Sequence, residues 1–285
     1  GGHHGQGPHR AGTTTGGEAL NESKSAAMTY GGYLAVDELL TLQRPRSDGP
    51  EHDEMLFIVI HQVYEIWFKQ TLHELDHAER LLAQNDISRV LHTLKRVLKI
   101  WKILVGQLDV LETMTPLEFA SFRSFLDTAS GFQSAQFREL EFVLGAKSAD
   151  HLHRFDANGR ERSNLARRYE QPSLWDAFLR FLAGRGYAVP DEVLDRDTTE
   201  PVTESAGVQA VLIDVYRNDP ALGVLCETLT DLDEGIQEWR YRHAMMVQRT
   251  IGTKGGTGGS SGAEYLRQTL FRPAFPDLWA IRTSF

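Results

Sequence analysis

Residues 53–83 read DEMLFIVIHQVYEIWFKQTLHELDHAERLLA. No Gly or Pro interrupts them, and Leu56, Ile60, Val63, Trp67 and Leu75 recur at helical spacing. The stretch predicts one long helix, with Asp53 placed to cap its start. Phe57 and His61 share one face of it with Tyr64 and Phe68. A second long helix is expected over residues 87–112, where Val90, Leu94, Val97, Ile100, Leu104 and Leu108 form a stripe. A third runs from about Ala221 to Ile251 and carries His243 between Trp239 and Met246.

Shorter elements fill the rest. Residues 1–28, rich in Gly, His and Thr, read as a flexible arm, and 29–285 as a single all-helical domain. TYGGYLAVDELLTLQ follows the arm, with a short helix from about Leu34. The turn-rich RPRSDGPEHD spans 44–53. Pro116 suits the first turn of a helix holding Phe119, Phe122, Arg123 and Leu126. Ser130 and Gln133 have capping-box spacing and announce another helix. Over 146–171 periodicity weakens and charge rises, with a turn at Asn158-Gly159. Helices are expected again at 173–183 and 204–216. With no alternating strand pattern, the fold class is all-α: a bundle of long antiparallel helices enclosing a pocket.

Composition narrows the function. The chain has 285 residues, 41% hydrophobic and 24% charged, as globular proteins do. A formal net charge of −9 argues against a nucleic-acid surface. Cys226 is the one cysteine, which excludes an intrachain disulfide and favours a reducing, cytoplasmic setting. No apolar run approaches the roughly 20 residues of a membrane span, and GGHHGQGPHRAGTTTGG has no signal-peptide core.

Four motifs carry chemistry. His61 and His243 lie on different long helices, each among large apolar residues. Two such helices can sandwich a haem, one histidine ligating iron and the other facing a distal pocket. Each histidine alone is also compatible with a satisfied core residue. Arg123 stands among Phe119, Phe122 and Phe125, where its fork suits a carboxylate ligand, although a snorkelling surface arginine reads the same way. GTKGGTGGSSG, residues 252–262, fails the phosphate-loop pattern because glycines follow Lys254. It is a helix stop and linker, or a loop able to close over a small polar ligand. His73-Glu74-Leu75-Asp76-His77 is a literal HExxH, the pattern of a zinc hydrolase. The apolar stripe of Leu72, Leu75 and Leu82 leaves His73, Glu74 and His77 largely on the solvent side, and the third-ligand pattern is absent.

Several segments in order resemble the tryptophan 2,3-dioxygenase family in its bacterial form: TYGGYLAVDELL, HDEMLFIVIHQVYEIWFKQ, LETMTPLEF, FRSFLDTASGFQSAQFRELE and WRYRHAMMVQRTIGTKGGTGGSSGAEYL. They cover roughly half the chain; the middle, about Gly145 to Pro220, matches least. The resemblance implies a haem b enzyme, ferrous when active, that inserts both atoms of O₂ across the indole C2–C3 bond of L-tryptophan to give N-formylkynurenine. It implies His243 as the iron's axial ligand and His61 as the distal residue facing the indole N–H. Phe57 and Phe119 would line the substrate pocket, with Phe119 where many bacterial members carry Tyr. Arg123 would pair with the substrate carboxylate, and Thr257 would meet the amino and carboxylate groups. Ser130 and Gly131 would lie over the haem edge. Tyr30, Tyr33 and Leu34 would complete the pocket of a neighbouring subunit in a homotetramer. The competing classes are a haem- or indole-binding sensor without turnover and the zinc hydrolase.

Overall fold

The computed structural model describes residues 27–285, so the arm expected over 1–28 lies almost wholly outside the described residues. The chain divides into two compact units, the first ending at Leu42 and the second running from Gln43 to Phe285. In the first, Thr29 caps α1 (Tyr30–Leu34), and Ala35 at φ +50° turns the chain into α2 (Val36–Leu39). α2 lies close to the short helix expected from about Leu34, and a further turn of helix precedes it from Tyr30, where the Thr29 hydroxyl accepts from the Gly32 N–H. Neither helix has a buried residue.

The second unit is built on three long helices. α3 spans His52–Ala83, α4 Ile87–Leu111 and α12 Pro220–Ile251. Glu51, not Asp53, is the N-cap of α3; Asp53 sits in the first turn, where its charge complements the helix dipole. Asn85 at φ +58° turns the chain between α3 and α4, and α4 packs back along α3. Ion pairs Lys102–Glu238, Arg242–Asp109 and Arg249–Glu112 run in step, so α12 follows α4 in the same sense. The apolar faces of all three are buried, with Leu75, Leu94, Leu104, Leu108 and Leu225 almost fully excluded from water.

Between these helices come α5 (Pro116–Arg123), α6 (Ala135–Val143), α7 (Ala149–Leu152), α8 (Arg160–Glu170), α9 (Leu174–Gly184), α10 (Asp191–Leu194) and α11 (Ala206–Asn218); α13 (Ala263–Arg267) and α14 (Pro276–Ala280) follow α12. α5 opens on Pro116 as expected, with a full Thr115/Glu118 capping box, but ends at Arg123, leaving Leu126 on a 3-10 turn. The Ser130/Gln133 box is present yet opens only a 3-10 turn; Ser134 caps α6. The weakly patterned middle holds α7 and α8, which cover a small second core of Ala135, Phe142, Leu152 and Leu165. Charge fixes it in place. Arg168 forks onto Asp76 of α3 and reaches Glu139, while the buried Lys147 ammonium donates to the carbonyls of Arg168, Tyr169 and Gln171 at the end of α8. No described helix is long and apolar enough to cross a membrane.

The HExxH segment lies on α3, but Glu74 does not face solvent. It is buried, accepting from Arg96 of α4 at 2.9 Å and from Gln70 at 2.8 Å, and His77 is half-buried; only His73 is exposed. Glu74 binds α3 to α4, since a buried carboxylate is tolerated only when paired. Among the described residues no cluster of three His, Cys, Asp or Glu side chains could hold a metal ion. Glu74→Ala should therefore cost about 1–3 kcal/mol in urea unfolding, while His73→Ala should stay within about 0.5 kcal/mol of the parent. Zinc content should be unchanged in both; equal costs, or zinc lost with His73, would remove Glu74 from this structural role.

Candidate active site

α3, α5, α6 and α12, with the loop after α12, enclose a largely apolar cavity of about 250 Å³. α3 contributes Phe57, His61 and Tyr64; α5 contributes Phe119 and Arg123; α12 contributes Trp239, His243, Met246 and Val247. Ser130, Gly131 and Thr257 line it as well. The structure thus gathers His61, His243, Phe57, Phe119, Arg123, Thr257, Ser130 and Gly131 around one space. Tyr30, Tyr33 and Leu34 belong to the other unit, where they are exposed.

The two histidines are prepared differently. His61 Nδ1 lies 2.7 Å from the Phe57 carbonyl oxygen. A carbonyl only accepts, so Nδ1 carries the proton and Nε2 is left as an acceptor. Burial holds the His61 pKa below its usual value, which keeps this neutral tautomer at pH 7. His243 stacks on Trp239 with ring centroids 4.9 Å apart and planes 11° apart. Burial first, then the neighbouring His61 and Arg138, push its pKa down to about 4. A neutral imidazole on an apolar wall is the protonation state in which histidine ligates a metal, so the residues fit a haem iron. The fit extends to the cavity's edge, where the buried Nε of Arg138 has no hydrogen-bond partner.

The aromatic side of the cavity is a connected set. Phe57 lies 4.1 Å from His61 and 5.8 Å from Phe119 between ring centroids, and both phenyl rings touch the fully buried Phe122. Arg123, half-buried beside them, pairs with no carboxylate among the described residues; its Nη2 donates to the Gly255 carbonyl at 2.6 Å. Thr257 Oγ1 donates to the Ala129 carbonyl at 2.5 Å.

Two glycines of the loop 252–262 are held where a side chain would not fit. Gly262 has φ +63°, and a Cβ there would come 2.8 Å from the Lys254 carbonyl. A Cβ on Gly258 would come 2.7 Å from that of Ser130. Of the two readings of this loop, the covering loop fits: Gly256, Thr257, Ser260 and Gly262 all line the cavity.

Sequence reasoning missed one cluster of the cavity lining, Phe132, Arg138, Glu141, Arg240 and Tyr265. A signal was present: Arg138 follows Phe137 and sits near Phe132 and Phe142, the same aromatic company that singled out Arg123.

Comparison with known proteins agrees with this arrangement. The family model described as tryptophan 2,3-dioxygenase matches residues 15–170 and 191–285. The gap falls within the middle segment that resembled the family least. Tryptophan 2,3-dioxygenase of Herpetosiphon aurantiacus is 60% identical over 91% of this chain and 99% of its own length. That of Anaeromyxobacter sp. strain K is 56% identical over 90% and 96%, and that of Caulobacter vibrioides 45% identical over 90% and 98%. With its cavity-lining histidines, arginine and glycine-rich loop all inside the matched segments, the chain belongs to the tryptophan 2,3-dioxygenase family.

Proposed function

We propose that this protein is a haem-dependent dioxygenase that converts L-tryptophan and O₂ to N-formylkynurenine, the opening step of tryptophan breakdown by the kynurenine route. The observation that carries the reading is one apolar cavity bordered by two neutral histidines from separate helices and by an arginine with no acid partner among the described residues. Neither a sensor nor a zinc hydrolase accounts for the arginine and the covering loop together.

His243 would hold the iron of haem b. The bound ferrous haem supplies the oxygen chemistry, and the protein's work is to bind, orient and enclose. His61 Nε2, an acceptor because Nδ1 is engaged by Phe57, would receive the indole N–H and fix the ring's orientation. Phe57 and Phe119 offer the indole an apolar slot; the Phe at 119 packs as Tyr would but brings no hydroxyl. Arg123 would take the carboxylate, and Thr257 the carboxylate and amino groups. The loop 252–262 would exclude water, which strengthens each polar contact inside. Ser130 and Gly131 would cover the haem edge.

The first unit supports a shared site. Tyr30 is 79% and Tyr33 76% exposed, with Leu34 also open to solvent, an unusual display for aromatic side chains. In a homotetramer these residues would complete a neighbouring subunit's pocket. The single, buried Cys226 suits a reducing cytoplasm.

Purified protein should show a Soret band and iron, and should consume tryptophan and O₂ when ferrous; His243→Ala should lose haem or hold it weakly. Full haem occupancy with an unchanged ferrous spectrum in that variant would sink the ligand assignment. Arg123→Ala should raise KM for tryptophan about 10- to 100-fold and erase the preference for tryptophan over tryptamine, which has no carboxylate. Undiminished discrimination would mean the carboxylate binds elsewhere. Co-expressing Arg123→Ala subunits with subunits lacking residues 1–35 should restore part of the activity that each lacks alone. Mixed oligomers without recovery would show that each pocket is completed within its own chain.

A further inference from the structure

One cluster of the cavity lining is basic. Arg138 of α6 is 6% exposed and lines the cavity. Its Nη1 donates to Glu141 Oε2 at 2.6 Å, its guanidinium lies 4.8 Å from the Phe132 ring and 5.4 Å from that of Phe137, and its Nε has no partner. Arg240 of α12 reaches the other carboxylate oxygen of Glu141 at 3.3 Å and the Thr269 carbonyl at 3.3 Å. His151 stands 3.8 Å from Glu141, and its Nδ1 is also unpartnered. Burial, and after it Arg138, holds the His151 pKa low, so the ring adds no charge at pH 7.

Two guanidiniums therefore share one carboxylate, leaving a surplus positive charge beside an apolar cavity. Arg154, over Phe132 at 4.1 Å, adds to it from the exposed side. A buried donor with nothing to donate to is destabilising, and no described residue provides an acceptor for it. The position says what would accept from it. Arg138 lies over the ring of Phe137, which is 5.0 Å from Trp239, the indole on which His243 stacks, whereas Arg123 sits with Phe119 and the glycine-rich loop. The two basic groups thus serve different anions, one near the iron ligand and one near the indole slot.

We propose that Arg138 and Arg240 receive a propionate of the haem, and that Glu141 holds the two guanidiniums in position for it. The inference rests on the haem reading above. Glu141 is then a positioning residue that also repels the incoming carboxylate, so its removal and that of either arginine should act in opposite directions.

Holoprotein reconstituted with iron protoporphyrin IX, or with its uncharged dimethyl ester, separates these roles; transfer to excess apomyoglobin, followed in the Soret band, gives the rate of release. Wild type should release the ester faster than the acid. Arg138→Gln and Arg240→Gln should each speed release of the acid about 10- to 100-fold and leave release of the ester within about twofold of wild type. Arg138→Lys should recover part of the loss, and Glu141→Gln should slow release of the acid. Equal acceleration for both porphyrins would make the arginines structural and overturn the assignment. So would wild type that holds acid and ester equally, a result that needs no variant to fold. If wild type takes up neither porphyrin, the haem reading falls and this assignment with it.

Discussion

Trp239 stands where four helices meet. Its indole lies 6.2 Å from Tyr64 and 6.5 Å from Phe68 on α3, 6.1 Å from Trp101 on α4 and 5.0 Å from Phe137 on α6, and it stacks on His243 one turn along α12. Aromatic pairs at such distances contribute about 0.5–1.5 kcal/mol each beyond their buried area. This cluster sets where α12 lies against α3, and hence where His243 stands relative to His61. The same contacts that bury the core also fix the spacing of the two cavity histidines, so stability and site geometry are not separable here. A smaller residue at position 239 would leave a void beneath the ring that the site most needs held still.

Charge does the complementary work at the periphery. The α7–α8 segment has little apolar surface of its own, and it is held by Arg168 on Asp76 and Glu139 and by Lys147 on three carbonyls. Burial pulls the Lys147 pKa down to about 8 and pushes that of the neighbouring Glu79 up to about 7. Charges in that setting hold the segment only while each has its partner. The family match runs through this segment and breaks only over residues 171–190, where α9 lies.

Periodicity made α3, α4, α9 and α12 legible to within a residue or two, because each buries a continuous apolar face. α11 begins at Ala206 rather than Glu204, since Ser205 caps it. α8 escaped because in RERSNLARRYE only Leu165 is buried; nothing apolar repeats. α10, α13 and α14 are too short to show any period. Phe57, His61, Arg123 and Thr257 were ambiguous residue by residue and became legible only together, because they sit in segments that resemble the family in order. The Arg138–Glu141–Arg240 group was not legible: its members come from two helices far apart in sequence, and each looks like part of an ordinary polar face until the fold turns them inward.

The hydrogen bonds of Arg123 and Thr257 bear on selectivity. Both groups already have acceptors, the backbone carbonyls of Gly255 and Ala129. On the proposed reading, an arriving amino acid would compete with these carbonyls for the engaged N–H and O–H, while the other N–H groups of Arg123 add to its fork. A carboxylate competes well, since a charge-assisted bond is about twice as strong as one to a neutral oxygen. An amide or ester in its place offers only another carbonyl, no better than the one it would replace. On that reading the site would select against neutral analogues by an even exchange rather than by steric exclusion, and releasing Gly255 from Arg123 would free the covering loop to settle on the ligand it has admitted.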